Sequence, residues 1–158
     1  MNSPEVKAGI GGWLLLPALG LVLTPLRMSY GIYKDLWPVF SEGYWEVLTT
    51  PTSEAYHPYW AALIIFEMAG NAVLIAITLV ALYFFFSKSR HTPRVMVVWL
   101  GAILAFTATD FFVADLIPAV AEQKDDQSVK ELGRAVVGAA IWIPYFLVSK
   151  RVKATFVK

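Results

Sequence analysis

The fold is decided by residues 68–87, MAGNAVLIAITLVALYFFFS, a run that contains no charged side chain. A helix that crosses the hydrocarbon core of a bilayer needs about 20 mostly apolar residues, each rising about 1.5 Å. This run meets the requirement alone, and it extends back to Tyr59 if one acid, Glu67, is accepted inside it. We therefore predict a membrane-spanning helix, and the acid within it needs a physical explanation.

The composition of the whole chain also indicates that lipid surrounds the protein. Of its 158 residues, 58% are hydrophobic, 15% are aromatic and only 16% are charged, which is too apolar for a water-soluble domain of this size. Hydropathy predicts spans at about residues 8–28, 59–87, 94–118 and 132–149, with an outer loop at 29–58. We predict an all-α polytopic membrane protein, a single domain over residues 1–158 with four transmembrane helices in a bundle.

The first apolar run has a second interpretation, a cleaved signal peptide. No small-x-small cleavage site follows it, and the apolar core of a signal peptide is shorter. We therefore expect a retained span.

The basic residues predict the orientation, because Lys and Arg near span ends are retained on the cytoplasmic side. Four spans place both termini on the same side of the membrane. If that side is cytoplasmic it holds Lys7, Lys88, Arg90, Arg94, Lys150, Arg151, Lys153 and Lys158, against Arg27, Lys34, Lys124, Lys130 and Arg134 outside. We therefore expect cytoplasmic termini. The net charge of +1 gives no support to nucleic-acid binding.

Two acids lie deep inside the predicted spans. Glu67 and Asp110 are each eight residues, or about 12 Å, from the outer ends of spans two and three. Asn71 shares a helix face with Glu67, and Thr107 shares one with Asp110. We predict that these four residues form an intramembrane polar cluster.

The chemistry of this cluster has two interpretations. An ionised carboxylate alone at such a depth costs several kcal/mol, and the apolar runs inside the predicted spans contain no basic residue to pair with it. We therefore expect Glu67 and Asp110 to face each other, with at least one of them neutral near pH 7. Such a cluster either joins helices by hydrogen bonds or forms a proton or cation route. The absence of a broken helix favours the first interpretation.

A third acid, Asp115, lies near the outer interface. Arg27 and Arg134 flank the same surface and could reach it. We predict ion pairs among these three residues at the outer rim.

The outer loop is unusually aromatic, and amphipathic rings of this kind settle at the level of the lipid head groups. A short interfacial helix is predicted from Ser41 onward, with Trp45 and Leu48 toward the lipid. The segment is interpreted as an interfacial belt, with a docking surface for a partner as the alternative. The predicted interfacial anchors of the chain are Trp13, Trp37, Trp45, Trp60 and Trp142.

Small residues four positions apart predict close helix packing. The pairs in this chain are Gly101 with Ala105, Ala72 with Ala76, and Ala135 with Ala139.

The residues needed for most catalytic chemistry are missing from the spans. The chain has no cysteine, and its two histidines, His57 and His91, fall in loops on opposite sides of the membrane. No HExxH motif and no phosphate-binding glycine loop occur. We expect no catalytic residue, no metal site and no cofactor, and therefore no enzyme.

Four stretches resemble a known family in order and spacing. They are GIGGWLLLPALGLVL at 9–23, FEMAGNAVL at 66–74, FFFSKSRHTPRVM at 84–96 and WIPYFLVSKRVKATFV at 142–157. The chain resembles a bacterial family of small four-span inner-membrane proteins catalogued as domain of unknown function 2569. The resemblance implies four spans in a bacterial inner (cytoplasmic) membrane, and no established activity comes with it.

The sequence favours a non-enzymatic accessory or interaction subunit of a membrane assembly, whose partners are the lipid bilayer and another membrane protein. The alternatives are a small proton- or cation-linked transporter or channel that uses the acid cluster, and a lipid-handling protein suggested by the aromatic loop. The oligomeric state is left open.

Overall fold

The computed structural model of the protein describes residues 9–122 and 126–158, and for Gln127 the backbone alone. Lys7, Lys124 and the first residue of the first predicted span lie outside the described residues. The described part of the chain is helical and contains no strand.

Four of the helices are long and apolar enough to cross a membrane. They are α1 (Gly12–Ser41), α3 (Trp60–Phe86), α4 (Thr92–Val113, prolonged by a 3-10 turn, Ala114–Leu116) and α6 (Asp126–Val148). The short helices α2 (Tyr44–Thr49), α5 (Pro118–Ala121) and α7 (Lys150–Thr155) lie between or after them. The prediction of an all-α protein with four membrane spans is confirmed.

The first span is longer than predicted. Its predicted end was residue 28, whereas α1 continues as one helix of 30 residues to Ser41, through a π-helical turn at Ile32–Leu36. Thirty residues reach about 45 Å, which exceeds the hydrocarbon thickness of about 30 Å. The prediction ended the span where charges begin, but charged side chains end an apolar run without breaking a helical backbone. Residues 29–41, the first part of the predicted outer loop, are therefore helical.

The predicted interfacial helix in this segment is present but begins later. It starts at Tyr44, after Gly43, whose positive φ of 77° turns the chain between α1 and α2. Trp45 and Leu48 are half-buried.

The bundle has two distinct ends. We call the end with Gly9–Gly12, residues 87–91 and α7 the terminal end, and the end with α2 and α5 the loop end. Helix α3 packs against α1 and α4, and α4 packs against α6. The hydrophobic core lies in the terminal half, where its residues are Leu14, Ala18, Leu21, Ala81, Phe85, Met96, Trp99, Phe146, Val152 and Phe156.

One buried polar contact joins the two central helices within this core. The indole Nε1 of Trp99 donates to the hydroxyl of Thr78 at 2.9 Å, and that hydroxyl donates to the carbonyl of Leu74 at 2.7 Å. Both side chains are almost fully buried. Each polar group is satisfied, so the contact fixes the register of α4 on α3 without leaving an unpaired buried donor.

Helix α3 approaches a side chain of α4 closely at Gly70. A Cβ atom at this position would overlap the ring of Phe106, and that ring also stacks on Phe66 at 5.1 Å between centroids. Gly101, by contrast, has nothing within 4 Å of its Cβ position. The prediction that Gly101 permits close packing is therefore wrong, and Gly70 has that role.

Candidate functional site

The loop half of the bundle contains a polar cavity of about 780 Å³. Side chains from all four spans line it, so the cavity exists only in the assembled bundle. Its polar and charged lining residues are Thr24, Arg27, Lys34 and Asp35 of α1, Glu67 and Asn71 of α3, Thr107 and Asp110 of α4, and Glu131 and Arg134 of α6.

The structure brings the four residues of the predicted polar cluster to this one cavity. Glu67 lies seven residues into α3, and Asp110 lies six residues before the helical segment of α4 ends at Leu116. These positions correspond to depths of about 10 Å and 9 Å along the helices. Both acids are half-buried.

The amide of Asn71 is used within its own helix. Its Nδ2 donates to the backbone carbonyl of Glu67 at 2.8 Å. This bond holds the amide beside the Glu67 turn, so Asn71 is positioned by α3 rather than by a partner on α4.

A further acid, Asp35 of α1, belongs to the same site. Asp35 lines the cavity together with Glu67 and Asp110. Asp35 was not predicted as a site residue because it falls in the segment predicted as the outer loop. The helical repeat of α1, continued past the first charge, is the signal that could have found it, since Arg27, Gly31, Lys34 and Asp35 all line the cavity at helical spacing.

Basic residues also line the cavity, which corrects the expectation that no basic residue lies within a span. Arg27 and Lys34 lie within α1, and Arg134 lies within α6. All three are exposed, as is Asp35, so the cavity opens to its surroundings on their side. Its charged lining therefore combines four acids with three bases.

The rim of the cavity carries an ion pair between α1 and α6. Nη2 of Arg27 donates to Oε1 of Glu131, and their side chains are 64% and 39% exposed. The pairing of Arg27 with Glu131 was not among the predicted rim ion pairs, and the pairing of Asp115 with Arg27 or Arg134 stays a prediction. Asp115 is exposed in the 3-10 turn after α4 and is not among the cavity-lining residues, whereas Arg134 lines the cavity.

The side chains that line the cavity supply hydrogen-bonding oxygen and nitrogen atoms. Within residues 9–122 and 126–158, no group of three or more His, Cys, Asp and Glu side chains is arranged to hold a metal. Glu67 and Asp110 offer carboxylate oxygens beside hydroxyl and amide groups, which can accept hydrogen bonds or protons.

The predicted tryptophan anchors occupy different environments. Trp13 and Trp37 are 68% and 61% exposed, and Trp60 begins α3. Trp45 stacks on Phe40 at 5.6 Å between ring centroids. Trp142 packs against the core and meets Tyr145 edge-on.

Comparison with known proteins gives a family and one named relative. The family described as "Protein of unknown function (DUF2569)" matches residues 7–157. The chain is 26% identical over 166 residues to a protein of Escherichia coli strain K12 named "Inner membrane protein YdgK". The alignment covers 94% of this chain and 93% of that relative. No solved structure matches the chain.

The family match extends from the segment before α1 to the residue before the carboxy terminus. It therefore includes the four spans, the cavity and the terminal end together. The chain belongs to the DUF2569 family, and it is an integral membrane protein with four spans.

Proposed function

We propose that the protein is a non-enzymatic membrane protein that takes up a small polar or charged solute in its cavity, in a process linked to a proton or cation. The observation that carries this proposal is the convergence of Glu67, Asp110, Asn71 and Thr107 on one cavity. These four residues border a space of about 780 Å³, large enough for a small organic molecule.

The charge pattern supports a solute that carries charge. The acids within the spans are costly to ionise without a partner, and intramembrane acids commonly mark proton or ion routes. The exposed bases Arg27, Lys34 and Arg134 can attract an anionic group to the opening. A zwitterion or a proton-coupled organic ion matches this combination.

The test is transport by the purified protein in vesicles. A pH-sensitive dye inside the vesicles reports proton movement driven by a potassium or sodium gradient, and added amino acids or small carboxylates test solute coupling. We expect flux in the parent protein and its loss in Glu67→Gln, which keeps the side-chain shape but cannot ionise.

The matched control is Glu54→Gln, because Glu54 is an exposed acid in the loop before α3 and does not line the cavity. It should keep the parent flux. Absence of flux in the parent protein, or equal flux in Glu67→Gln, would refute the proposal.

An accessory role in a membrane assembly is the second candidate, and the length of α1 favours it. The last turns of α1 present Tyr30, Tyr33 and Trp37, which are 64%, 69% and 61% exposed. Aromatic side chains of this kind are enriched at protein interfaces. Purification in mild detergent followed by mass spectrometry tests this role, and repeated absence of a stoichiometric companion counts against it.

The proposed location is the bacterial inner membrane, with both termini in the cytoplasm. The name of the Escherichia coli relative supports the membrane, and the excess of basic residues at the terminal end supports the orientation.

A further inference from the structure

The terminal end is assembled from three distant parts of the chain. The backbone N–H of Gly9 donates to Oγ1 of Thr155 at 3.1 Å, and that hydroxyl lies 3.3 Å from the Gly9 carbonyl. The carbonyl of Lys158 accepts from the N–H of Arg90 at 2.6 Å, while its N–H donates to the carbonyl of Lys88 at 3.2 Å. These bonds hold α7 between the segment before α1 and the turn before α4.

Arg151 of α7 lies directly over two glycines. A Cβ atom at Gly11 would be 3.1 Å from Nη2 of Arg151, and a Cβ atom at Gly12 would be 3.0 Å from Nη1. Gly12 also has a positive φ of 53°, which most residues adopt only with strain. The glycine pair therefore makes room for the guanidinium group.

The charge of Arg151 has no counterpart in the described part of the chain. Its Nε atom is buried and without a hydrogen-bond partner, and none of its atoms forms an ion pair with a described residue. The other charged side chains described at this end are all basic, namely Lys88, Arg90, Arg94, Lys150, Lys153 and Lys158. A partly buried cation without an ion pair is stabilised by a bound anion, because its desolvation is otherwise uncompensated.

We propose that Arg151, held over Gly11 and Gly12, binds the phosphate of an anionic phospholipid head group. The planar fork of a guanidinium matches a phosphate with two parallel hydrogen bonds. The site lies at the end of a membrane-spanning bundle, where lipid phosphates are present, and the exposed Trp13 next to it is a ring type that settles at that depth. The surrounding lysines and arginines concentrate anionic lipid near the site. This site does not depend on the function of the cavity at the loop end.

The experiment is a lipid titration of the full chain in detergent, read by native mass spectrometry. The probes are phosphatidylglycerol, phosphatidylcholine with the same acyl chains, and inorganic phosphate. We expect saturable binding of phosphatidylglycerol, weaker binding of phosphatidylcholine, and no displacement by millimolar inorganic phosphate. Displacement by inorganic phosphate would instead identify a site for free phosphate and would overturn the lipid assignment.

Matched variants separate a defined site from diffuse attraction. Arg151→Gln should weaken phosphatidylglycerol binding about tenfold, the loss expected for one charge-assisted hydrogen-bonding group. Arg90→Gln removes the same charge from an exposed position at the same end, and it should change binding less than about twofold.

Equal losses in these two variants would overturn the proposal, as would unchanged binding in Arg151→Gln. Arg151→Lys keeps the charge and most of the stem, so it serves as the second variant if Arg151→Gln loses its helical fold by circular dichroism. It should still bind more weakly than the parent protein, because an ammonium group lacks the planar fork. Parent-level binding in Arg151→Lys would refute the geometric part of the proposal.

Discussion

Gly70 is the residue on which the contact between the two central helices depends most directly. It faces the ring of Phe106 in the turn that follows Glu67, so the packing of α3 on α4 and the position of the acid in the cavity are set together. A close helix approach of this kind needs a residue without a side chain.

Gly70→Ala should therefore destabilise the protein by about 1–3 kcal/mol, since an added methyl group forces the Phe106 ring and the helices to move. The expected result is a lower midpoint of thermal unfolding in detergent. Gly101→Ala is the matched control on α4, because its Cβ position is open. It should be neutral or stabilise by up to about 1 kcal/mol through helix propensity. A Gly70→Ala protein as stable as the parent would contradict the packing described.

The hydrogen bond between Trp99 and Thr78 supports a second prediction at this scale. Thr78→Val is nearly isosteric but leaves the indole N–H of Trp99 buried without an acceptor, so stability should fall by about 1–3 kcal/mol. Thr109→Val is the control, because Thr109 is exposed and bonds only within its own helix, to the carbonyl of Ala105 at 2.8 Å. In the same detergent, the midpoint of thermal unfolding should be clearly lower for Thr78→Val than for Thr109→Val. Equal midpoints would show that the indole finds another partner.

At the scale of elements, the short helix α7 closes the terminal end. Its Val152 is fully buried, and Phe156, just after the helix, packs on Phe85 and Phe146. Its Arg151 and Thr155 lie one turn apart and contact the segment before α1. The helix therefore joins the two ends of the chain to the core.

Gly12→Ala should loosen this helix, because it strains a backbone with φ of 53° and places a Cβ atom 3.0 Å from the Arg151 guanidinium. Trypsin cleavage within residues 150–153 reports the opening, and we expect it to become several-fold faster. Gly138→Ala in α6 is the control, since nothing lies within 4 Å of its Cβ position. Cleavage at the parent rate in Gly12→Ala would show that α7 does not depend on the glycine.

The rim of the cavity is held by a contact between two other elements, α1 and α6. Reversing one charge, in Arg27→Glu or Glu131→Arg, places like charges together and should lower stability by up to about 1 kcal/mol, the range for exposed pairs. The double exchange should recover most of that loss. Thermal unfolding of the parent, the two single variants and the double variant gives the coupling free energy between the two residues. A coupling free energy of zero would show that the pair does not stabilise the rim.

At the scale of the molecule, the two halves of the bundle do different things. The terminal half is packed with apolar side chains from the four spans and α7, whereas the loop half opens into the polar cavity. A well-packed half next to an open half is suited to support a binding site whose mouth stays accessible.

The sequence was sufficient for the number of spans and for the four polar residues that meet at the cavity, because hydropathy and helical spacing are local signals. It was not sufficient for Asp35, Lys34 and Glu131, since their place depends on how far α1 extends and on which face α6 presents. The contact of Arg151 with Gly11 and Gly12 joins residues about 140 positions apart, and no local pattern encodes such a pairing. The same limit explains why Glu131 was not predicted as the partner of Arg27.

The proposed orientation gives the last prediction, and the absence of cysteine from the chain makes it direct to test. Glu54→Cys places a thiol at the loop end, and Lys150→Cys places one at the terminal end, both at exposed positions. In intact cells with a permeable outer membrane, an impermeant maleimide should label Glu54→Cys and leave Lys150→Cys unlabelled until the inner membrane is opened. The reason is that eight of the thirteen basic residues lie on the side of the termini, and basic segments are retained in the cytoplasm. The reverse labelling pattern would show that the protein has the opposite orientation. The cavity would then open to the cytoplasm, and the Arg151 site would lie at the outer leaflet.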